Sequence, residues 1–230
     1  MRSPATNCVF CVLIANFAIA SEKADFFPQL RTYLEIRVDE FDQIKDERKV
    51  ELRKIALYVQ NRAKENQPVR LTFICTHNSR RSHMSQIWAA TAASFYGIEG
   101  IETFSGGAEA TAFNPRATAA LKRSGLKVVK SEDGKNPHYE VRFQDAGNEM
   151  VCYSKVFNEA PNPKDEFCAV MVCSQADKSC PVVDGCSLRI AIPFDDPKIA
   201  DDKPEEETTY DERTRQICRE MLFLFSQVNN

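Results

Sequence analysis

Hydrophobic and polar residues follow two different periods along the chain, and each period predicts its own kind of element. Between residues 28 and 66, apolar side chains recur every three or four positions on either side of a charged stretch, as in a pair of amphipathic helices. Pro68 ends this region, because proline disfavours helical backbone at the residue before it. The apolar, β-prone residues 69–74 then predict a strand, and residues 82–96 predict a helix.

The rest of the chain continues this alternation of strands and helices. The same reasoning predicts strands at residues 101–104, 168–173 and 187–194, and helices at residues 116–124 and 210–228. Alternation of this kind implies a parallel sheet with right-handed crossovers, and the unbroken apolar run at 168–173 suits a strand buried on both faces. We therefore predict an α/β fold in which an open parallel sheet carries helices on both faces.

Residues 135–165 show a different pattern within this fold. Residues 138–143 and 150–157 alternate between apolar and polar side chains, with turn-forming residues at 145–148 between them. This pattern predicts an inserted β-hairpin, which would be either an antiparallel extension of the sheet or a flap.

The N-terminus carries an apolar run of 13 residues, positions 8–20, which is too short to span a bilayer. Residues 18–21 have the small-x-small form of a signal-peptidase site. The run is therefore a cleaved signal peptide, a buried N-terminal helix, or the product of a start codon chosen too far upstream. We divide the chain into residues 1–20, a helical extension at 21–68 and a main domain at 69–230, and expect a cytoplasmic protein unless the signal peptide is genuine.

Composition narrows the functional classes. The chain is 43% hydrophobic and 27% charged, with a formal net charge of −3, an ordinary balance for a globular protein. No basic patch dominates, so we expect no nucleic-acid partner. The nine cysteines show no zinc-like pair of Cys-x2-Cys pairs, and we expect neither a metal nor a cofactor. Their odd number argues against the fully paired disulfide framework of a secreted protein.

Residues 75–82, which we call the anion loop, carry the clearest chemistry. A strand that turns at once into a helix leaves free backbone N–H groups at the positive end of the helix dipole, where a tetrahedral oxyanion binds. Those N–H groups and Arg81 would stabilise a thiolate at Cys75, and the planar fork of Arg81 can hold two oxygens of the anion. The alternative is that Cys75 is only a small buried hydrophobe. The expected oxyanion-binding residues are Thr76, His77, Asn78, Ser79, Arg80, Arg81 and Ser82.

Two more groups follow predicted strands. Cys173 and Cys180 stand seven positions apart, and the carboxyl ends of parallel strands share one rim, so Cys173 can lie near Cys75. Spacing alone, however, favours two unrelated thiols. Asp196 at the same rim could protonate a leaving oxygen as a general acid, with Asp195 in a turn or supporting role. An aspartate before proline is, taken alone, more often a turn former.

Four segments in order resemble a known family. They are Cys-Thr-x-Asn-Ser-x-Arg-Ser, Phe-Ser-Gly-Gly-x-Glu-Ala-x-x-Phe-Asn-Pro-x-Ala, Cys-Ser-x-Ala-Asp-x-x-Cys-Pro and Phe-Asp-Asp-Pro. In this order they resemble the thioredoxin-coupled arsenate reductases, which share the fold of the low-molecular-weight protein tyrosine phosphatases. The resemblance covers residues 69–228, which it marks as the catalytic domain, apart from the 135–165 insertion. The Cys-x5-Arg-Ser loop is common to both branches, whereas the cysteine pair followed by proline is more specific to the reductases.

The resemblance implies a relay of three thiols. Cys75 would attack arsenate held by the anion loop and Arg81, while Asp196 protonates the departing oxygen. Cys173 would then attack Cys75 and release arsenite, and Cys180 would form a disulfide with Cys173 that a thioredoxin-like protein reduces. If water attacks instead of Cys173, the same first step on a phosphate ester completes a phosphatase cycle. Arsenate reduction is our first prediction and phosphomonoester hydrolysis the alternative. An anion sensor without catalysis is a third hypothesis, disfavoured because the nucleophile, the arginine and the acid are all present.

The chain also departs from the family pattern. His77 and Arg80 replace the glycine and the small or cysteine residue that the reductases usually carry. We expect His77 to point outward and Arg80 to add positive potential near the mouth of the loop. The aromatic segment that phosphatases place after their Asp-Pro is absent, which weakens the hypothesis of a phosphotyrosine-protein substrate. Export would conflict with the relay, because an oxidising compartment would lock the second cysteine pair as a disulfide.

Overall fold

The computed structural model describes residues 25–147, 149–179 and 182–228. The predictions made for residues 1–20 and for Cys180 therefore lie outside the described residues. Within these ranges, none of the helices is both long enough and apolar enough to cross a bilayer.

Helices and strands alternate through most of the chain. The helices are α1 (Pro28–Val38), α2 (Asp46–Lys64), α3 (Arg81–Phe95), α4 (Pro115–Arg123), α5 (Ser174–Ser179) and α6 (Glu206–Ser226). The strands are β1 (Val69–Cys75), β2 (Ile101–Gly107), β3 (Lys127–Glu132), β4 (His138–Arg142), β5 (Met150–Cys152), β6 (Phe167–Met171) and β7 (Cys186–Ala191). Short 3-10 helices cover Phe41–Gln43 and Pro197–Ala200.

The central sheet has the strand order β2-β1-β6-β7, with every neighbouring pair parallel. β1 and β6 occupy the two inner places, and almost all of their residues are buried, which explains why their sequences are nearly continuous apolar runs. Helices flank the sheet: α3 packs against β1 and β2, and α2 packs against β7. The predicted α/β class with an open parallel sheet is confirmed.

The carboxyl ends of these strands meet at one rim. Ile74 of β1 lies opposite Met171 of β6, and beyond the strand the N–H of Val172 donates to the carbonyl of Ile74 at 2.9 Å. The chain after β7 follows the same course, since the N–H of Phe194 donates to the carbonyl of Val172 at 3.1 Å. The segments that follow β1, β6 and β7 therefore begin side by side.

The helices ahead of β1 belong to the same hydrophobic core as the sheet, because α1 and α2 both pack against α6. Glu40, between them, is 7% exposed and ties this region to α6. It lies 2.6 Å from Arg215, 2.9 Å from Arg37 and 3.3 Å from Arg219. Burial opposes the charge of this carboxylate, but the hydrogen bond from Arg215 and the three guanidinium charges hold the pKa of Glu40 below its ordinary value.

The insertion contributes to a separate antiparallel sheet in the order β3-β4-β5. It contains the predicted hairpin as β4 and β5, with shorter strands than expected, and β3 pairs with β4 as a strand that the sequence pattern did not predict. The sequence pattern does not reveal β3, because Val128 is the only buried residue among its six and the strand lacks the usual alternation. This sheet does not continue the central ladder. An isolated parallel bridge joins Gly107, at the end of β2, to Val156 in the segment that follows β5.

Candidate active site

The sulfur of Cys75 lies at the buried end of β1 and faces the hydroxyl of Ser82. Cys75 is 3% exposed, and its Sγ lies 3.0 Å from Ser82 Oγ. Asn78 Nδ2 donates a hydrogen bond to the same serine oxygen at 2.8 Å. Because that oxygen already accepts from Asn78, the single hydroxyl hydrogen of Ser82 is free to point at the sulfur. This arrangement allows Ser82 to donate to the sulfur, as the stabilisation of a thiolate at Cys75 would require.

Asn78 shapes the backbone of the anion loop. Its φ of +44° lies in the left-handed region, which asparagine tolerates better than most residues. The side chain is buried, donates to Ser82, and accepts from the N–H of Lys155 at 2.9 Å. Its side chain holds the loop against the segment that follows β5, and the predicted part of Asn78 in binding an oxyanion stays a prediction.

The last residue of β2 supports the loop from the other side. β2 extends to Gly107, three residues beyond the predicted end, and Gly107 lies opposite Cys75. A Cβ on Gly107 would lie 2.6 Å from the backbone nitrogen of Asn78 and 2.8 Å from the carbonyl oxygen of Thr76, so only glycine allows this approach. The N–H of Glu109 also donates to the carbonyl of Thr76 at 3.0 Å.

Arg81 begins α3 and reaches the segment after β7. Its Nη2 donates to Asp196 Oδ2 at 2.6 Å, and its Nη1 donates to the carbonyl of Phe194 at 3.0 Å. Its side chain is 12% exposed and that of Asp196 is 33% exposed, so this ion pair lies at the edge of the protein interior. The structure thus brings the predicted arginine and the predicted acid together over the loop.

The two neighbouring aspartates are placed very differently. Asp196 faces the loop, and its Oδ1 also accepts from the N–H of Lys198 at 3.2 Å, which caps the 3-10 helix Pro197–Ala200. The side chain of Asp195 is 97% exposed and meets Arg213 at 3.5 Å. The turn-forming role that an Asp-Pro pair suggests is therefore present at Asp196, together with its contact to Arg81.

Cys173 lies immediately beside the anion loop. It follows β6, is fully buried, and places its Sγ 3.5 Å from Thr76 Oγ1, on the residue next to Cys75. The N–H of Ala176, at the start of α5, donates to the same sulfur at 3.3 Å. The pairing of β1 with β6 produces this proximity, which the spacing of cysteines in the sequence did not favour. Cys180 lies outside the described residues.

His77 stands at the outer side of the loop. Its side chain is half exposed, and its Nε2 lies 3.3 Å from Glu109 Oε1. Its backbone carbonyl accepts from the hydroxyls of Thr111 and Ser154, both at 3.0 Å. Sequence reasoning missed Glu109 as a partner, although the residue belongs to the Ser-Gly-Gly-x-Glu segment that carried the family resemblance.

Arg80 is tied to residues that no sequence signal pointed to. Its Nε donates to Tyr210 Oη at 2.8 Å, and its Nη2 donates to Asp201 Oδ2 at 3.4 Å. Tyr210 Oη in turn donates to Asp201 Oδ1 at 2.7 Å. Burial is the main reason that the pKa of Tyr210 rises to about 12, so its hydroxyl stays protonated at neutral pH.

These side chains surround a small open pocket above the sulfur. Its lining residues are Cys75, His77, Ser79, Arg80, Arg81 and Asp196. Of the residues predicted to bind the oxyanion, Thr76 turns its hydroxyl to Cys173, and Asn78 and Ser82 form the buried support under the sulfur. Among the described residues, no group of three or more His, Cys, Asp or Glu side chains is arranged to hold a metal ion.

Comparison with known proteins gives a consistent result. The sequence model of the family described as low molecular weight phosphotyrosine protein phosphatase matches residues 70–138. The arsenate reductase of Brevibacillus brevis is 30% identical over 125 residues, which cover 54% of this chain and 74% of that protein. The arsenate reductase of Bacillus subtilis is 28% identical over 155 residues, covering 67% and 93% of the two chains. Among solved structures, a low molecular weight phosphotyrosine phosphatase from Vibrio cholerae aligns with 69% of this chain and 95% of its own at 13% identity and a TM-score of 0.46.

The relatives and the geometry of the loop agree on the class of protein, a thiol-dependent enzyme that acts on tetrahedral oxyanions. More narrowly, the chain belongs to the family that unites the low molecular weight phosphotyrosine protein phosphatases with the arsenate reductases to which it is similar.

Proposed function

We propose that the protein is an arsenate reductase that works through a relay of Cys75, Cys173 and Cys180. The observation that supports this choice over hydrolysis is the position of Cys173, whose buried sulfur lies 3.5 Å from the hydroxyl of Thr76, the residue after Cys75. A phosphatase needs only water at this point of its cycle. A second thiol against the loop fits the attack on the sulfur of Cys75 that a reductase requires.

In the first step, the thiolate of Cys75 attacks the arsenic atom of arsenate. The N–H groups of the anion loop and the fork of Arg81 hold the oxygens that stay on arsenic. One oxygen leaves as water after Asp196 supplies a proton, and a sulfur–arsenic(V) bond forms. Before substrate enters, Asp196 is hydrogen-bonded to Arg81 at 2.6 Å. The entering anion competes for this guanidinium, which frees the carboxyl group to hold the proton.

In the second step, the thiolate of Cys173 attacks the sulfur of Cys75. A Cys75–Cys173 disulfide forms, the sulfur–arsenic bond breaks, and arsenic keeps the electron pair, so As(V) becomes As(III) and leaves as arsenite. The thiolate of Cys180 then attacks Cys173, which frees Cys75 and leaves a Cys173–Cys180 disulfide. A thioredoxin-like dithiol protein reduces this bond and supplies the two electrons of the cycle. The relay needs a compartment that keeps thiols reduced, which supports a cytoplasmic location.

The last exchange requires α5 to unwind. Cys173 precedes this helix, and Cys180 comes directly after its last residue, Ser179. A helix rises about 1.5 Å per residue, so seven residues of continuous helix would separate the two Cα atoms by about 10 Å. A disulfide allows at most about 7 Å. We therefore expect α5 to lose its helical form when the Cys173–Cys180 disulfide forms.

Hydrolysis of phosphomonoesters is the second candidate, because Cys75, Arg81 and Asp196 together suffice for it. Two assays separate the functions: NADPH consumption with arsenate, thioredoxin and thioredoxin reductase, and release of the alcohol from an aryl phosphate. We expect Cys173→Ser to stop arsenate turnover and to leave aryl phosphate hydrolysis nearly unchanged. Cys186→Ser, at the opposite end of the sheet, is the matched control and should not affect either assay.

Disulfide mapping identifies the intermediate directly. After reaction with arsenate and blocking of free thiols in acid, Cys180→Ser should retain a Cys75–Cys173 disulfide following a single turnover. Absence of arsenate turnover and of any disulfide at Cys173 in the wild-type protein, together with aryl phosphate hydrolysis that Cys173→Ser leaves unchanged, would decide in favour of the phosphatase.

A further inference from the structure

We propose that Arg80 is a specificity-determining residue, which closes the mouth of the anion loop around an inorganic oxyanion and disfavours organic esters. The inference rests on the proposed function in one respect, namely that the anion loop binds the substrate. It goes beyond that function by naming the residue that sets the size of the group accepted opposite Cys75.

The guanidinium of Arg80 is held in place from two sides. Its side chain is only 12% exposed, Tyr210 Oη accepts from its Nε at 2.8 Å, and Asp201 accepts from its Nη2 at 3.4 Å. Tyr210 is fully buried and belongs to α6, while Asp201 follows the 3-10 helix that begins after Asp196. These two partners also bond to each other at 2.7 Å, which fixes their positions. Arg80 would therefore lose two hydrogen bonds if it moved out of the mouth.

Arg80 lies on the side of the pocket toward which the leaving group points. In an in-line displacement, the attacking sulfur and the leaving oxygen lie on opposite sides of the tetrahedral centre. The oxygen that leaves therefore points away from Cys75 and toward Asp196, the proposed acid. Arg80 Nη1 lies 3.9 Å from Asp196 Oδ1, and both residues line the pocket with Cys75. A group attached to the leaving oxygen would have to occupy the space that the guanidinium fills.

Shape and hydrogen bonding, rather than long-range attraction, carry this selectivity. The charge of Arg80 is offset by Asp201, which also lies 3.9 Å from Arg116. An outer oxygen of arsenate or phosphate can accept a hydrogen bond from the Arg80 fork. The carbon substituent of an ester has no acceptor at that position and must displace a tethered side chain.

Protection of Cys75 from alkylation tests the proposal without any need for turnover. The rate of iodoacetamide labelling at Cys75 is measured against the concentration of inorganic phosphate and, separately, of phenylphosphonate, which carries a ring in place of one oxygen. The proteins are the wild type, Arg80→Ala and Tyr210→Phe. Arg70→Ala is the matched control, since Arg70 pairs with Glu102 near the opposite end of β1. Circular dichroism and thermal melting check that each variant is folded.

We expect Arg80→Ala to need roughly tenfold more phosphate for half-protection of Cys75, a loss of about 1.4 kcal/mol in binding free energy. The same variant should need several-fold less phenylphosphonate. Tyr210→Phe should shift both values in the same directions by smaller factors, because Arg80 stays but loses one tether. Arg70→Ala should match the wild type.

Two results would overturn the proposal. If Arg80→Ala weakens protection of Cys75 by the same factor for phosphate and for phenylphosphonate, Arg80 is only a source of positive potential. If it changes protection by neither compound, Arg80 does not contact the bound anion. Failure of the proposed function looks different: neither probe would protect Cys75 even in the wild-type protein, and both conclusions would then fall. If phosphate protects Cys75 in the wild-type protein, the anion loop binds an oxyanion. The ratio of the half-protecting concentrations of phosphate and phenylphosphonate then decides the role of Arg80.

Discussion

The two halves of the candidate site differ in what holds them together. The floor, which comprises Cys75, Asn78 and Ser82, is buried and connected by hydrogen bonds between residues at most seven positions apart. The mouth, formed mainly by Arg80, Arg81 and Asp196, is charged, and the hydrogen bonds of its two arginines join residues 113 to 130 positions apart. The hydrogen bonds within the floor are local, and one distant contact, from the N–H of Lys155 to Asn78, supports them. The contacts of the mouth all depend on how distant segments dock on the loop.

This difference has a consequence for catalysis. The floor already presents the Ser82 hydroxyl to the sulfur, with Asn78 holding that hydroxyl in place, so substrate binding requires little rearrangement there. In the mouth, the cationic groups that should hold an oxyanion are paired with Asp196 and Asp201. Entry of an anion must redistribute these ion pairs. Substitutions in the floor and in the mouth should therefore have different effects on turnover and stability.

The largest effect is expected at the sulfur itself. Cys75→Ser should reduce both arsenate reduction and aryl phosphate hydrolysis by about 10⁴-fold or more, since a serine hydroxyl at this position lacks the reactivity of a thiolate. Steady-state turnover in the two assays checks this, with Cys186→Ser as the control. Turnover that survives the change would show that another group is the nucleophile.

The next effect separates the two aspartates of the mouth. Asp196→Asn should lower kcat by about 10²-fold or more, because the amide keeps a contact to Arg81 but cannot supply a proton. Asp195→Asn should change kcat by less than about twofold, because that side chain is almost fully exposed. Aryl phosphates with poor leaving groups should show the largest loss at Asp196. Equal losses in the two variants would remove Asp196 from its role as the acid.

A floor substitution should show up in stability as well as in turnover. Asn78→Ala removes the hydrogen bonds to Ser82 and Lys155 and leaves alanine at a φ of +44°, so the free energy of unfolding should fall by about 2–3 kcal/mol. Asn66→Ala is the control, because Asn66 also has a positive φ, +54°, but is exposed. Denaturant unfolding compares the two. A loss at Asn78 no larger than the loss at Asn66 would mean that its side-chain contacts contribute little.

The smallest effect concerns pH and the histidine beneath the loop. His83 is fully buried with its Nδ1 3.2 Å from Ser105 Oγ, and burial, assisted by the charge of Lys155, holds the pKa of His83 well below its ordinary value. Below about pH 6.5 the unfolded chain therefore binds a proton that the folded chain does not. The free energy of unfolding should fall as pH falls from 7 to 5, by at most about 1.4 kcal/mol per unit from this group.

His83→Gln tests that contribution. The difference in unfolding free energy between pH 7 and pH 5 should be smaller in His83→Gln than in the wild-type protein. An unchanged pH dependence in the variant would show that other groups control acid stability. Glu220, whose pKa burial raises, acts in the opposite direction and is retained in both proteins.

The sequence by itself determined the parallel sheet and the anion loop, because both rest on patterns within short segments. The apolar runs of β1 and β6 require strands buried on both faces, and the change from strand to helix between Cys75 and Arg81 requires a tight loop with free N–H groups. β3 was not predictable in this way, since a strand with one buried residue carries almost no periodic signal.

Only the tertiary structure decided which distant residues meet around the anion loop. Cys173 comes beside Thr76 through the pairing of β6 with β1, and Tyr210 reaches Arg80 because α6 packs against α3. It also showed that the side chain of Asn78 supports the loop through Ser82 and Lys155. Contacts between segments this far apart leave no periodic trace in the sequence, because they depend on how whole elements pack rather than on the local preference of any segment.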